Sequence, residues 1–110
     1  MPRRSAVSIG RGAKSDLRHI RDYLISQAGR EVANNITRKI LDLVEKLEQF
    51  PERGPIPDEV QLLGFDNIRQ LSLRPYRVIY QVAPGKVTIL MIVDGRRDLQ
   101  PLLRRRLFNR

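Results

Sequence analysis

The feature that most constrains the fold is a change in the spacing of apolar residues on either side of a proline-rich stretch. Up to residue 50, apolar residues recur every three or four positions, which is typical of amphipathic helices. From residue 68 they alternate with polar residues, which is typical of half-buried strands. Residues 51–57 contain three prolines and Gly54 and cannot continue a helix. The chain is therefore predicted to form helices first and strands second.

The first half of the chain predicts a helical hairpin. Ala13, Leu17, Ile20 and Leu24 are separated by four, three and four residues, and they form one apolar stripe of a helix that ends near residue 27. Gly29 suits the left-handed backbone conformation that often ends a helix. A second helix, from about residue 31 to before residue 50, carries the apolar residues Val32, Ile36, Ile40, Leu43, Val44 and Leu47.

The second half of the chain predicts a sheet. Residues 68–74 and 76–82 alternate in polarity, so that Tyr76, Val78 and Tyr80 share one face while Arg77 lies on the other. After a turn at residues 83–86, residues 87–93 are apolar on both faces apart from Thr88, as in a central strand that is covered on both sides. A short strand near residues 6–9 precedes the first helix. Leucines at positions 99, 102, 103 and 107 indicate a short C-terminal helix.

These elements predict an α+β fold in one domain over residues 1–110. It has an N-terminal strand, a helical hairpin, three antiparallel strands that form one sheet, and a short C-terminal helix. The first residues lack the apolar stretch of a signal peptide, and the longest apolar run, residues 87–93, is far shorter than the about 20 residues that span a bilayer. We therefore expect a cytoplasmic protein.

The charge of the chain predicts an anionic partner. With 21 lysines and arginines against 12 aspartates and glutamates, the formal net charge is +9, and six arginines follow residue 95 with Asp98 as their only acidic neighbour. Nucleic acid and an acidic protein segment both fit this charge. The chain has no cysteine and only one histidine, His19, so no metal site, disulfide or cofactor is predicted.

Several motifs in this order resemble the RelE/ParE superfamily of toxins from type II toxin–antitoxin systems. The resemblance extends over about residues 7–107, including the proline–glycine loop and the tyrosine–arginine strand, residues 76–80. Its motifs are Ala13-x-x-Asp16-Leu17, then Ile20, Tyr23 and Leu24, the loop residues Leu47, Phe50, Pro51 and Gly54, the strand Tyr76-Arg77-Val78-Ile79-Tyr80, and the closing segment 92–98. The resemblance implies the predicted fold and a cognate antitoxin protein that wraps the toxin, commonly through an acidic segment.

The superfamily has two branches with different activities. Members that resemble RelE cleave messenger RNA on the ribosome, whereas members that resemble ParE poison DNA gyrase without known catalysis. Arg77 and Arg97 match the phosphate-binding cations of the RNases, but leucines and Phe108 stand near the C-terminus where the RNases carry a tyrosine. We therefore favour a ParE-like gyrase inhibitor that is not an enzyme. A RelE-like endonuclease is the alternative, and a small basic DNA-binding domain is the second, although no recognition helix is evident.

The predicted surface for the target or the antitoxin consists of arginines only: Arg74, Arg77, Arg96, Arg97, Arg104, Arg105 and Arg106. Strand alternation places Arg74 and Arg77 on the sheet face opposite Tyr76, where they either form an exposed basic patch or pair with Asp94 and Asp98. The run at 104–106 is either a solvated tail or the basic face of a helix that docks through Leu103 and Leu107. In ParE-like proteins the C-terminal region is implicated in target inhibition, so the resemblance implies such a role for this run.

Overall fold

The computed structural model describes residues 4–108 and has a four-stranded sheet between two helical layers. Arg110, one of the C-terminal arginines counted above, lies outside the described residues. In chain order the elements are β1 (Ala6–Ile9), α1 (Arg11–Ala28), α2 (Arg30–Glu45) with a 3-10 turn (Lys46–Glu48), α3 (Asp58–Gln61), β2 (Ile68–Leu73), β3 (Tyr76–Ala83), β4 (Lys86–Asp94) and α4 (Leu99–Phe108).

The strand order is β1-β4-β3-β2, with β2, β3 and β4 antiparallel and β1 parallel to β4. The predicted α+β class, the helical hairpin and the C-terminal helix are confirmed, and β4 is the central strand that its apolar character indicated. Gly29 joins α1 to α2 with a φ of 92°, a conformation that residues with a Cβ rarely adopt. In the described residues, no helix is long and apolar enough to cross a membrane.

The helical hairpin packs on one face of the sheet. Ala13 of α1 and Ile40 of α2, both fully buried, pack in one cluster with Tyr76, Val78 and Tyr80 of β3. The alternation predicted for β3 is therefore correct, because the side chains of Tyr76, Val78 and Tyr80 all face the helices. Burial of each large apolar side chain in this layer contributes about 1.5–3 kcal/mol, so these side chains are the main source of stability for the hairpin.

The opposite face of the sheet is also covered, as the apolar residues on both faces of β4 indicated. Leu99, Leu103 and Leu107 of α4 are buried in a second cluster with Ile79 and Met91 of the sheet. α3 contributes to the same cluster through Val60. Of the two interpretations given for Arg77, the structure does not have the free basic patch, because α3 and α4 pack on the same face of the sheet.

A β-bulge in β4 adapts the sheet to this second layer. Ile79 is opposite Met91 and Tyr80 is opposite Ile89, so Leu90 has no partner on β3. The extra residue puts both Leu90 and Met91 into the cluster under α4. β1 pairs with β4 only up to Ile89. The edge of β4 beyond the bulge therefore lies between α1 and α4.

The loop that contains Gly54 is fastened to the sheet by hydrogen bonds. The Gly54 amide donates to the Tyr80 hydroxyl at 3.1 Å, and Arg69 Nη1 donates to the Gly54 carbonyl oxygen at 2.8 Å. A Cβ on Gly54 would lie 2.0 Å from the carbonyl oxygen of Gln70, so no side chain fits there. Burial raises the pKa of Tyr80, which acts as a structural hydrogen-bond acceptor rather than a base.

Candidate functional site

Arg77 is held in an ion pair that removes most of its capacity to bind a phosphate. Its Nη1 and Nη2 atoms donate to the two carboxylate oxygens of Glu59 at 2.8 and 3.0 Å, and its Nε donates to Gln70 Oε1 at 2.7 Å. Only 17% of the Arg77 side chain and 29% of the Glu59 side chain are exposed. The hydrogen bond from Arg77 lowers the pKa of Glu59, so the pair remains charged at neutral pH.

Glu59 is a site residue that sequence reasoning missed. The partners proposed for Arg77 were Asp94 and Asp98, but the structure pairs it with a residue of α3. That helix has four residues, which is too short for an apolar period to reveal it. A signal was nevertheless present, because a proline followed by two acidic residues is typical of the first turn of a helix.

Three of the predicted arginines meet at the end of the sheet where β4 ends. Arg74, Arg77 and Arg96 line a shallow pocket of about 360 Å³. Arg96 makes a bidentate contact with Asp94, 2.6 Å from its Nη2 to Oδ2 and 3.0 Å from its Nε to Oδ1. These hydrogen bonds lower the pKa of Asp94 to about 2. Arg74 is exposed and has no ion pair with any residue between 4 and 108.

Arg97 faces a different space, the α1–α4 groove. This groove has a volume of about 310 Å³ and runs along the edge of β4 between the two helices. Its walls include Asp16, His19 and Tyr23 of α1 and Leu102 and Arg106 of α4, while Arg96 and Arg97 lie at one end. His19 is exposed at the rim. The structure thus places Arg77 and Arg97 around separate pockets.

Arg106 is directed into the fold. Its Nη1 lies 3.0 Å from Asp16 Oδ2 and 2.7 Å from the Leu90 carbonyl oxygen, and its Nη2 lies 3.2 Å from Asp16 Oδ1. Asp16 Oδ2 also accepts a hydrogen bond from the Ile92 amide at 2.9 Å. The ion pair therefore provides hydrogen-bond partners for the Leu90 carbonyl oxygen and the Ile92 amide, and it joins α4 to α1. Gly12 makes room for it, since a Cβ there would lie 2.7 Å from Arg106 Nη1.

The C-terminal arginines consequently divide into two kinds. Arg104 and Arg105 are exposed on the outer side of α4, whereas Arg106 is only 32% exposed and is paired. Three apolar positions of α4, Leu99, Leu103 and Leu107, are four residues apart and buried, so the run belongs to a docked helix and not to a solvated tail. Of the two interpretations given for this run, the structure has the helix.

The two tyrosines of β3 near these cations are not available as bases. Tyr76 is 7% exposed, and its burial raises its pKa, so it is protonated at neutral pH. Tyr80 is engaged with Gly54. Within residues 4–108, no three His, Cys, Asp or Glu side chains come together as a metal site would require. The exposed arginines of this arrangement can bind anions.

Comparison with known proteins decides the family. The model of the ParE toxin of type II toxin–antitoxin systems, parDE, matches residues 7–99, which is most of the chain. The chain belongs to the ParE toxin family. The resemblance that the motifs indicated is thus confirmed for its ParE branch. All of α4 after its first residue lies beyond the matched part.

A solved structure is similar in fold. A chain of the "Chromosomal ParDE TA system from P. aeruginosa" superposes with a TM-score of 0.70 at 23% sequence identity. The alignment covers 82% of this chain and 95% of that one, and it confirms the ParE-like fold. A comparison with curated proteins found no match.

Proposed function

We propose that this ParE-family toxin inhibits DNA gyrase by binding and is neutralised by a cognate antitoxin. The observation that carries the proposal is the bidentate contact between Arg77 and Glu59. Through this contact, Glu59 already engages the guanidinium that an RNase of the superfamily would need to bind phosphate. A binding surface remains, because Arg74, Arg97 and the outer arginines of α4 are exposed.

The RelE-like alternative would require several changes at once. Arg77 would have to leave Glu59 and Gln70, and breaking this partly buried pair costs about 2–3 kcal/mol. Arg97 lines a different pocket, and the buried tyrosines have raised pKa values. These features support a toxin that binds its target over one that cleaves RNA.

The arginines of the proposed target surface have different roles. Arg74, Arg96, Arg97, Arg104 and Arg105 are exposed, so they are the proposed contacts with the target or the antitoxin. Arg77 and Arg106 are mostly engaged inside the fold. We assign these two a positioning role: Arg77 fixes α3, and Arg106 fixes α4 and thereby the direction of the outer arginines.

The proposed antitoxin contact follows from charge. A net charge of +9 favours an acidic segment, which would cover part of the exposed arginine surface and block access of gyrase. The fold neighbour comes from a ParDE toxin–antitoxin system, which is consistent with a partner of this kind for the present chain.

The test is inhibition of gyrase supercoiling by purified toxin and two double variants. Arg104→Ala/Arg105→Ala removes two exposed cations of α4, and Arg30→Ala/Arg38→Ala removes two exposed cations of α2 with the same change in net charge. We expect the α4 variant to need at least several-fold more toxin for half inhibition and the α2 variant to match wild type. Equal activity of all three proteins would remove α4 from the target surface. Absence of inhibition at excess wild-type toxin would overturn the gyrase proposal.

A further inference from the structure

A further cavity lies beside the Asp16–Arg106 ion pair, and Arg106 lines both this cavity and the α1–α4 groove. We name it the cationic cleft; it has a volume of about 720 Å³ and is lined by Gly10, Arg11, Gly12, Thr88, Leu90, Arg105 and Arg106. It is formed by the start of α1, the edge of β4 and the outer part of α4. The proposed contact with gyrase includes Arg105 but does not account for Arg11 or for the cavity between the two helices.

The charge of the cationic cleft is positive and largely uncompensated. Arg11 and Arg105 come from opposite walls, are exposed, and form no ion pair or side-chain hydrogen bond with any residue from 4 to 108. Among residues 4–108, no carboxylate lines the cleft. Asp16, which pairs with Arg106, already accepts hydrogen bonds at both of its oxygens. An anion that enters the cleft therefore meets at least two cations with no competing carboxylate in the lining.

The lining distinguishes between an anionic polymer and a protein partner. Protein interfaces depend on a few large apolar or aromatic side chains that become buried at their centre. Among the described residues, the large apolar side chains that are exposed are Tyr23, Val32, Leu41, Phe50, Leu62 and Phe108. None of these six lines the cleft. Its own apolar residue, Leu90, is only 6% exposed. Contacts between cations and a phosphate backbone need no such anchor.

We infer that the cationic cleft binds a backbone phosphate of duplex DNA, without regard to base sequence and without gyrase. Two of its three arginines, Arg105 and Arg106, lie beyond the residues that the family model matches. The site therefore depends on the C-terminal helix of this chain. The ion pair with Asp16 gives the cleft a fixed wall, because it holds α4 against α1.

The experiment is a salt titration of binding to fluorescein-labelled duplex DNA, followed by anisotropy. We compare wild type with Arg11→Gln/Arg105→Gln and with a control of equal net charge, Arg30→Gln/Arg38→Gln on α2. Each lost phosphate contact should reduce the slope of log K against log salt by about 0.9, so the cleft variant, which loses the one proposed phosphate, should lose about 0.9 and the control nothing. Thermal melts check that all three proteins are folded.

The outcomes are decisive in either direction. A smaller slope in the cleft variant alone supports the inference, as do amide shift changes at Gly12 and Thr88 on addition of DNA to wild type. An equal loss of slope in both variants would attribute binding to general charge and overturn it. So would the absence of binding by wild type at low salt. Binding of polyglutamate at the same residues, more tightly than DNA, would instead assign the cleft to an acidic protein.

Discussion

The ion pair between Arg77 and Glu59 gives the sharpest prediction. Exposed ion pairs contribute about 0–1 kcal/mol, whereas breaking a fully buried pair costs about 3–5 kcal/mol. The two side chains are 17% and 29% exposed, and three hydrogen bonds converge on the guanidinium, so the value lies between these limits. We expect Glu59→Ala to lower the free energy of unfolding by about 2–3 kcal/mol. That is a large part of the about 5–15 kcal/mol typical of one domain.

A double-mutant cycle isolates this interaction. Urea unfolding of wild type, Glu59→Ala, Arg77→Met and the double variant should give a coupling energy of about 2 kcal/mol between the two residues. Glu45→Ala, an exposed position on α2, serves as the control and should change stability by less than about 0.5 kcal/mol. A coupling energy below about 0.5 kcal/mol would mean that Arg77 is in effect solvated, and the argument that removes it from phosphate binding would fail.

Three further predictions concern other contacts. The pKa of Glu59 is lowered in the fold, so the extra stability of wild type over Glu59→Gln should be present above pH 4.5 and decline as pH falls through the folded pKa, as measured by urea unfolding at several pH values. Arg106→Ala should destabilise the protein by about 1–3 kcal/mol and speed amide exchange in α4, whereas Arg104→Ala should do neither. Leu103→Ala, at a fully buried position, should cost about 2–5 kcal/mol in a urea melt, and a smaller loss would contradict the docking of α4.

The parts of the fold that depend on local patterns could be predicted from the sequence. The apolar stripe that begins at Ala13 predicted the first helix, and Gly29 predicted where that helix ends. The alternation around Tyr76 identified the face of the sheet that packs on the hairpin. The apolar run at 87–93 placed β4 in the centre of the sheet. Each of these features depends on the spacing of apolar residues along the chain and on which of them become buried.

The parts that depend on contacts distant in sequence could not be predicted in the same way. Nothing in the spacing of β4 indicates the bulge at Leu90, and the carboxylate of Glu59 meets Arg77 only after α3 has packed on the sheet. The three arginines at 104–106 look equivalent in the sequence. Helix geometry separates them, because Arg106 follows Leu102 by four residues and so lies on the inner side of α4.

The central proposal is that this toxin binds gyrase and does not cleave RNA. The most direct measurement uses one preparation of purified toxin at one concentration in two assays: DNA cleavage by gyrase, and cleavage of messenger RNA on ribosomes. We predict trapped, cleaved DNA in the first assay and intact message in the second. Cleaved message with no effect on gyrase would contradict the proposal and assign the chain a RelE-like activity.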